Sequence, residues 1–240
     1  MENKSAQVNR IVQCAESLES GNINICEFVS FLGKKNSSVL CIPDDKIQII
    51  TQAITRIEAD NCSKGEKGAL LEEITRAIFD NTIFSCVRNC RTSTNEIDLY
   101  VQWTEIARLT HLQIAFPYFG DSFLCECKNY GEPVGVTYVG KFCSLLLCSN
   151  VSLGVMISWN GVTGRGKWDA SKGLIKKFAL KENRYIVVLD KNDLKQLSRK
   201  ETNIFSLIGN KVQALKLDID YSTYLKSHPA ESEFARSGET

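Results

Sequence analysis

The feature that most limits what this chain can fold into is a change of apolar period near residue 80. Residues 67–80, KGALLEEITRAIFD, place apolar side chains at 70, 71, 74 and 78, a single helical stripe. Beyond it, TIFSCVRN (82–89), NEIDLYVQW (95–103) and SFLCECKN (122–129) read as strands, the last two alternating clearly. VTYVGKFCSLLLCS then returns to helical period, SLGVMISWN is a continuous apolar strand, GRGKWDASKGLIKKFAL is helical and RYIVVLD is another buried strand. The order α-β-β-β-α-β-α-β predicts an α/β fold, a mixed β-sheet flanked by helices.

The flanks differ from this centre. Residues 5–59 hold helical patterns, so 1–60 is expected to be an N-terminal helical appendage, joined through NCSKGEKG to a main domain over 67–200. Residues 201–240 are expected to close with helical segments and a polar tail. The 240 residues, 43% hydrophobic with 4 prolines, suffice for one packed domain and a smaller appendage. The polar start MENKSAQVNR and the interruption of FCSLLLCSNVSLGVMISW by Ser and Asn predict a cytoplasmic protein that does not enter a membrane. In that compartment the 10 cysteines are expected to be reduced thiols. With only 2 histidines, His111 and His228, most His-based zinc sites and a Ser-His-Asp triad are disfavoured.

Charge is unevenly spread behind a net value of +1: residues 131–200 carry 12 Lys and Arg against 5 Asp and Glu. A basic region beside acidic groups suits a protein that holds a polyanion and keeps carboxylates for a metal, although a solvated helix face gives the same pattern. Lys172, Lys176 and Lys177 are the candidates for phosphate contact in this region. The turn NGVTGRGK after Trp159 is either a helix-entry loop or a cradle offering backbone N–H groups, Arg165 and Lys167 to a phosphate.

Alternation assigns the candidate chemistry. In FLCECK, Phe123, Cys125 and Cys127 share one face, where the thiols are most simply small buried hydrophobes, while Leu124, Glu126 and Lys128 share the other. In NEIDLYV, Ile97, Leu99 and Val101 face the core and Glu96, Asp98 and Tyr100 oppose them. If the two strands pair in register, Asp98, Glu126 and Lys128 lie on one side. Converging carboxylates repel unless a divalent cation lies between them, and Mg²⁺ needs only one or two carboxylates plus waters and substrate phosphate. A lysine beside them can act on the attacking water and offset charge on a phosphorane, the chemistry of phosphodiester hydrolysis. Taken alone, D…ExK also occurs as solvent-facing strand charge.

The ordered segments KGALLE (67–72), NEID (95–98), ECK (126–128) and GEPVGVTYVGKF (131–142), followed by GVMISWNGVTGRGKWDA, resemble the PD-(D/E)xK nuclease superfamily and, within it, the Mrr-like restriction endonucleases. The resemblance covers about 67–195 and implies a restriction-endonuclease-like fold and a Mg²⁺-dependent endodeoxyribonuclease, with Mn²⁺ able to substitute, acting in restriction or anti-phage defence. It implies that Asp98 and Glu126 are metal ligands, joined by the Cys127 carbonyl, that Lys128 is the catalytic lysine, and that Glu72 organises the metal site. Glu72 read by itself is equally a helix-surface charge beside Glu73. DNA would be the partner, with a homodimer or larger assembly for double-strand cleavage and a regulatory or ATPase protein as a possible controller. The alternatives are a non-catalytic nucleic-acid-binding or assembly module on the same fold, and a resolvase- or transposase-type nuclease. Two departures stand out: RTSTNE before Asp98 lacks glycine, and the 27 residues between Asp98 and Glu126 exceed a tight hairpin. TEIARLTHLQIAFPYFGD is therefore expected to be an extra loop or short helix, with His111 on its surface.

Overall fold

In the computed structural model, Ser63 caps the helix that carries Glu72. Its hydroxyl accepts from the Glu66 N–H while the Glu66 carboxylate accepts from the Ser63 N–H, a reciprocal cap that fixes the helix start at Lys64. The structure describes residues 40–217 apart from 60–61, 92–95, 110, 129–130 and 166–168, together with 12, 13, 16 and 20. The expectations for the first 39 residues, for the tail beyond 217, for His228 and for Lys167 therefore lie outside the described residues or at their isolated points.

Two helices come first, α1 (Asp44–Glu58) and α2 (Lys64–Phe79). Strands β1 (Phe84–Arg91) and β2 (Glu96–Trp103) follow. The insertion forms short helices α3 (Glu105–Leu109) and α4 (Leu112–Ala115) and a 3-10 turn at Pro117–Phe119. Then come β3 (Ser122–Lys128), α5 (Val136–Cys148), β4 (Leu153–Ser158), α6 (Ala170–Glu182), β5 (Tyr185–Leu189), α7 (Lys191–Ser198) and α8 (Ile204–Lys216). The five strands form one sheet in sequence order, β1, β2 and β3 antiparallel and β3, β4 and β5 parallel. This is the mixed sheet and element order anticipated from the apolar periods. Among the described residues, no helix is long and apolar enough to cross a membrane.

The sheet is covered on both faces, and two neighbouring residues show how. Phe123 meets Phe79 of α2 edge to face at 5.2 Å between ring centroids. Leu124 points the other way and pairs with Gly154 of β4, over which α5 lies so closely that a Cβ would stand 2.7 Å from Phe142 Cε1. Gly154 is thus required by the approach of α5, since any side chain would push Phe142 and Leu146 off the sheet. On the opposite face α1 packs on α2 and α7, burying Ile50, Ala53, Ile54 and Ile57 in the same apolar cluster as the sheet. Ion pairs Lys195–Glu58 and Lys200–Asp44 join α1 to α7 and the residues after it.

The insertion packs at the far end of the β2–β3 pair. Phe119 and Phe205 of α8 surround Phe84, and the Tyr118 hydroxyl donates to the Phe205 carbonyl at 2.7 Å. One boundary differs from expectation: α6 begins at Ala170, not at Gly164. The preceding turn holds Gly161 and Gly164 at φ 67° and 137°, and Val162 forms a parallel bridge with Val134, so the chain is tied to the loop after β3 before it can coil.

Candidate active site

The β2–β3 ladder runs Gln102–Ser122, Val101–Phe123, Tyr100–Leu124 and Leu99–Cys125, and there it stops. Asp98 and Glu126 are the next residues along each strand. Past this point β2 continues beside β1 while β3 stays on β4 as far as Lys128–Ser158, so the two strands fork. In the mouth of the fork a side chain replaces the missing ladder bond, for the Cys127 N–H donates to Asp98 Oδ2 at 2.8 Å. The register on which the candidate site depended is therefore present, and it ends where the carboxylates begin.

Glu126 is largely buried, its side chain 14% exposed, and it forms an ion pair through Oε1 with the Lys128 ammonium. Its Oε2 is buried and has no hydrogen-bond partner. Burial pushes the Glu126 carboxyl above the ordinary carboxylate range, the Asp98 charge adds to this, and Lys128 opposes both. Glu72 stands on the exposed rim of α2. Partial burial raises its carboxyl, with Asp98 again adding, while Arg76 one helical turn on and Lys128 pull it back. Glu72, Asp98, Glu126 and Lys128 thus interact electrostatically around one fork.

Asp98 and Glu126 offer hard oxygen donors, and the unpartnered Glu126 Oε2 is a buried acceptor that a cation would satisfy. The set fits Mg²⁺, which completes its shell with waters and phosphate oxygens. Among the described residues, no three His, Cys, Asp or Glu side chains form a metal cage by themselves. Cys125 is fully buried and its thiol is pushed far up by burial; Cys86 and Cys143 are raised by burial to about 12 and about 11. Cys125 is the packing thiol that alternation suggested, whereas Cys127, expected to be one too, has a polar partner in Thr75.

Sequence reasoning passed over Thr75. Fully buried on α2, it donates through its hydroxyl to the Leu71 carbonyl at 2.7 Å and lies 3.1 Å from Cys127 Sγ. Its only sequence signal was a position one turn beyond Glu72 on the inward stripe. A second unforeseen group is the chain in which Gln102 Nε2 donates to the Tyr100 hydroxyl and that hydroxyl donates to Ser122 Oγ, on the face that carries Asp98.

The basic candidates separate. Arg165, Lys172 and Lys177 are exposed, but Lys176 is only 8% exposed because it lies beside the buried stripe Ser171, Ile175, Phe178 and Ala179 of α6. Lys176 is therefore not part of an open basic row. Nor does the turn after Trp159 keep its amides free: the Gly161 N–H donates to the Ser158 carbonyl and the Thr163 N–H to the Val134 carbonyl, both at 3.0 Å. A local turn takes the first and the bridge between Val134 and Val162 takes the second, which favours a helix-entry loop. His111 is exposed in the insertion at φ 54°. Trp103, whose Nε1–H donates to the Gly120 carbonyl at 2.7 Å, marks that end of β2. It lies roughly 16 Å along the strand from Asp98, so His111 stands at the opposite end from the fork.

No family model matches the chain, and no curated protein matches it in sequence. Among solved structures it is similar to the DNA modification-dependent restriction endonuclease AspBHI, at 13% identity and a TM-score of 0.37, over 76% of this chain. The chain spans 42% of that protein's length. A superposition this loose carries no information about chemistry.

Proposed function

We propose that the chain is a Mg²⁺-dependent endodeoxyribonuclease that hydrolyses DNA phosphodiester bonds, in the manner of the Mrr-like restriction enzymes its motifs resemble, and that it serves restriction or anti-phage defence. One observation carries the reading: at the β2–β3 fork, Asp98 and a buried Glu126 adjoin carboxyl to carboxyl, with no N–H or hydroxyl donor reaching Glu126 Oε2 and Lys128 attached to the other oxygen.

In this reading Asp98, Glu126 and the Cys127 carbonyl would hold Mg²⁺, or Mn²⁺ in its place. The cation, when bound, neutralises phosphate charge and acidifies water. The residues do the rest. The Cys127 N–H fixes Asp98 Oδ2 so that its carboxylate does not turn away. Burial keeps water from competing for Glu126. Lys128, 24% exposed and therefore within reach of substrate, orients the attacking water and offsets charge on the phosphorane as water adds to phosphorus and a P–O ester bond breaks. Glu72, at the rim, would help to organise the metal side. Cleavage of both strands requires two such sites, hence a dimer or larger assembly on DNA.

The test is nicking of supercoiled plasmid in Mg²⁺ or Mn²⁺ by the wild type and by Lys128→Ala. The expected outcome is nicking that chelator abolishes and that Lys128→Ala reduces by on the order of a thousandfold, with DNA binding within a few-fold of wild type. Binding without metal-dependent nicking by the wild type would mark the chain as a nucleic-acid-binding module that lacks turnover.

A further inference from the structure

We infer that the Thr75 hydroxyl and the Cys127 thiol form a positioning latch that fixes the helix carrying Glu72 against the strand carrying Glu126 and Lys128. The inference rests on the nuclease reading of the same fork and adds to it two side chains that touch no substrate.

Proton supply sets the direction of the contact. Thr75 has one hydroxyl hydrogen, and at 2.7 Å the Leu71 carbonyl takes it. The 3.1 Å contact between Thr75 Oγ1 and Cys127 Sγ must then have the S–H as donor. Leu71 immediately precedes Glu72, so the line runs from Cys127 Sγ through Thr75 Oγ1 to the peptide unit that carries Glu72.

Cys127 is held from its other side as well, because its N–H donates to Asp98 Oδ2 at 2.8 Å. One residue therefore joins α2, β3 and β2 at the fork. Strand alternation makes this possible: the Cys127 side chain projects away from those of Glu126 and Lys128, toward α2, while its peptide groups stay between them. A Thr hydroxyl that only closes the turn to its own i−4 carbonyl needs no partner on another element. Here it has one: Thr75 is fully buried one turn beyond Glu72, and its partner is the residue that separates Glu126 from Lys128. Loss of the hydroxyl would let α2 slide on β3, moving Glu72 relative to Asp98 without emptying the core.

The test crosses shape against hydrogen bonding in the full chain. Thr75→Val keeps the branched shape and removes the hydroxyl; Thr75→Ser keeps the hydroxyl and removes a methyl group. Mn²⁺ affinity is read by titration calorimetry, kcat and KM by plasmid nicking, and Tm by calorimetry. The latch predicts that Thr75→Val weakens Mn²⁺ binding and kcat by on the order of 10–100-fold, with KM for DNA within about twofold. Thr75→Ser should melt lower yet bind Mn²⁺ and cleave within about threefold of wild type. Should Thr75→Val fail to fold, Thr75→Ala against Thr75→Ser isolates the same hydroxyl, with the alanine expected to lose the Mn²⁺ affinity and kcat that the serine keeps. A Thr75→Val protein that binds and cleaves like wild type, or a Thr75→Ser protein impaired as badly as Thr75→Val, would overturn the latch alone. A wild type that binds Mn²⁺ without nicking leaves the affinity contrast to decide. A wild type that neither binds Mn²⁺ nor nicks DNA overturns the nuclease reading and the latch with it.

Discussion

The Cys127 N–H donates to Asp98 Oδ2 at 2.8 Å, so a carboxylate of β2 completes the hydrogen bonding of β3 where their ladder ends. Asparagine at 98 retains an acceptor oxygen for that bond and loses only the charge. Asp98→Asn should therefore fold as well as wild type in chelator and melt at the same or a higher temperature, because a repulsion felt by Glu126 and Glu72 disappears. Wild type in Mg²⁺ at ten times its dissociation constant should gain about 1.4 kcal/mol, a Tm rise of roughly 2–4 °C. The variant should respond much less. Equal metal responses in calorimetry would show that Asp98 is not a ligand.

The raised Glu126 carboxyl makes stability depend on pH with a definite sign. Its ordinary value is 4.5 and its folded value lies higher, so between the two the native state binds more protons than the unfolded chain. Metal-free stability contributed by this group is thus present below 4.5 and lost as pH rises through the folded value. Glu72 and Asp193, also raised by burial, act in the same direction. Melts in chelator at rising pH should show Glu126→Gln gaining on wild type; parallel curves for the two proteins would contradict the assignment.

Cys125 is a packing residue in this structure, fully buried between β2 and the neighbouring β4 on the α2 face. Cys125→Ser buries a hydroxyl in place of a thiol and should cost about 1–3 kcal/mol in chemical denaturation. The folded fraction should keep its specific activity. Stoichiometric zinc in the purified protein, absent from the variant, would refute this.

The basic residues of α6 should divide by burial. Neutralising the exposed Lys172 and Lys177 should weaken DNA binding and flatten its salt dependence by up to about one unit for each phosphate that is no longer neutralised. Lys176→Ala should leave the salt slope alone and lower Tm instead, since its stem is packed. The slope of log affinity against log salt for each variant decides between DNA contact and a face that meets only solvent.

Much of this was legible in the sequence because period is local. The 3.6-residue stripe of KGALLEEITRAIFD and the two-residue alternation of NEIDLYV and FLCECK determine helix, strand and face from neighbouring residues alone. That Asp98, Glu126 and Lys128 share a face follows from parity once the strands pair. The pairing itself is not local. A shift of one residue between β2 and β3 would have put Asp98 on the opposite face from Glu126, and 27 intervening residues, folded into α3, α4 and a 3-10 turn, set no register by themselves. Packing of Trp103, Phe119, Phe123 and Phe205 around Phe84 at the far end anchors that register. Tertiary structure alone likewise decided that Lys176 turns inward, that the turn after Trp159 spends its amides on Ser158 and Val134, and that Thr75 meets Cys127. Each depends on which surface a distant segment covers. Neighbouring side chains set the pattern of an element, whereas burial and hydrogen-bond partners are set by whatever packs against it.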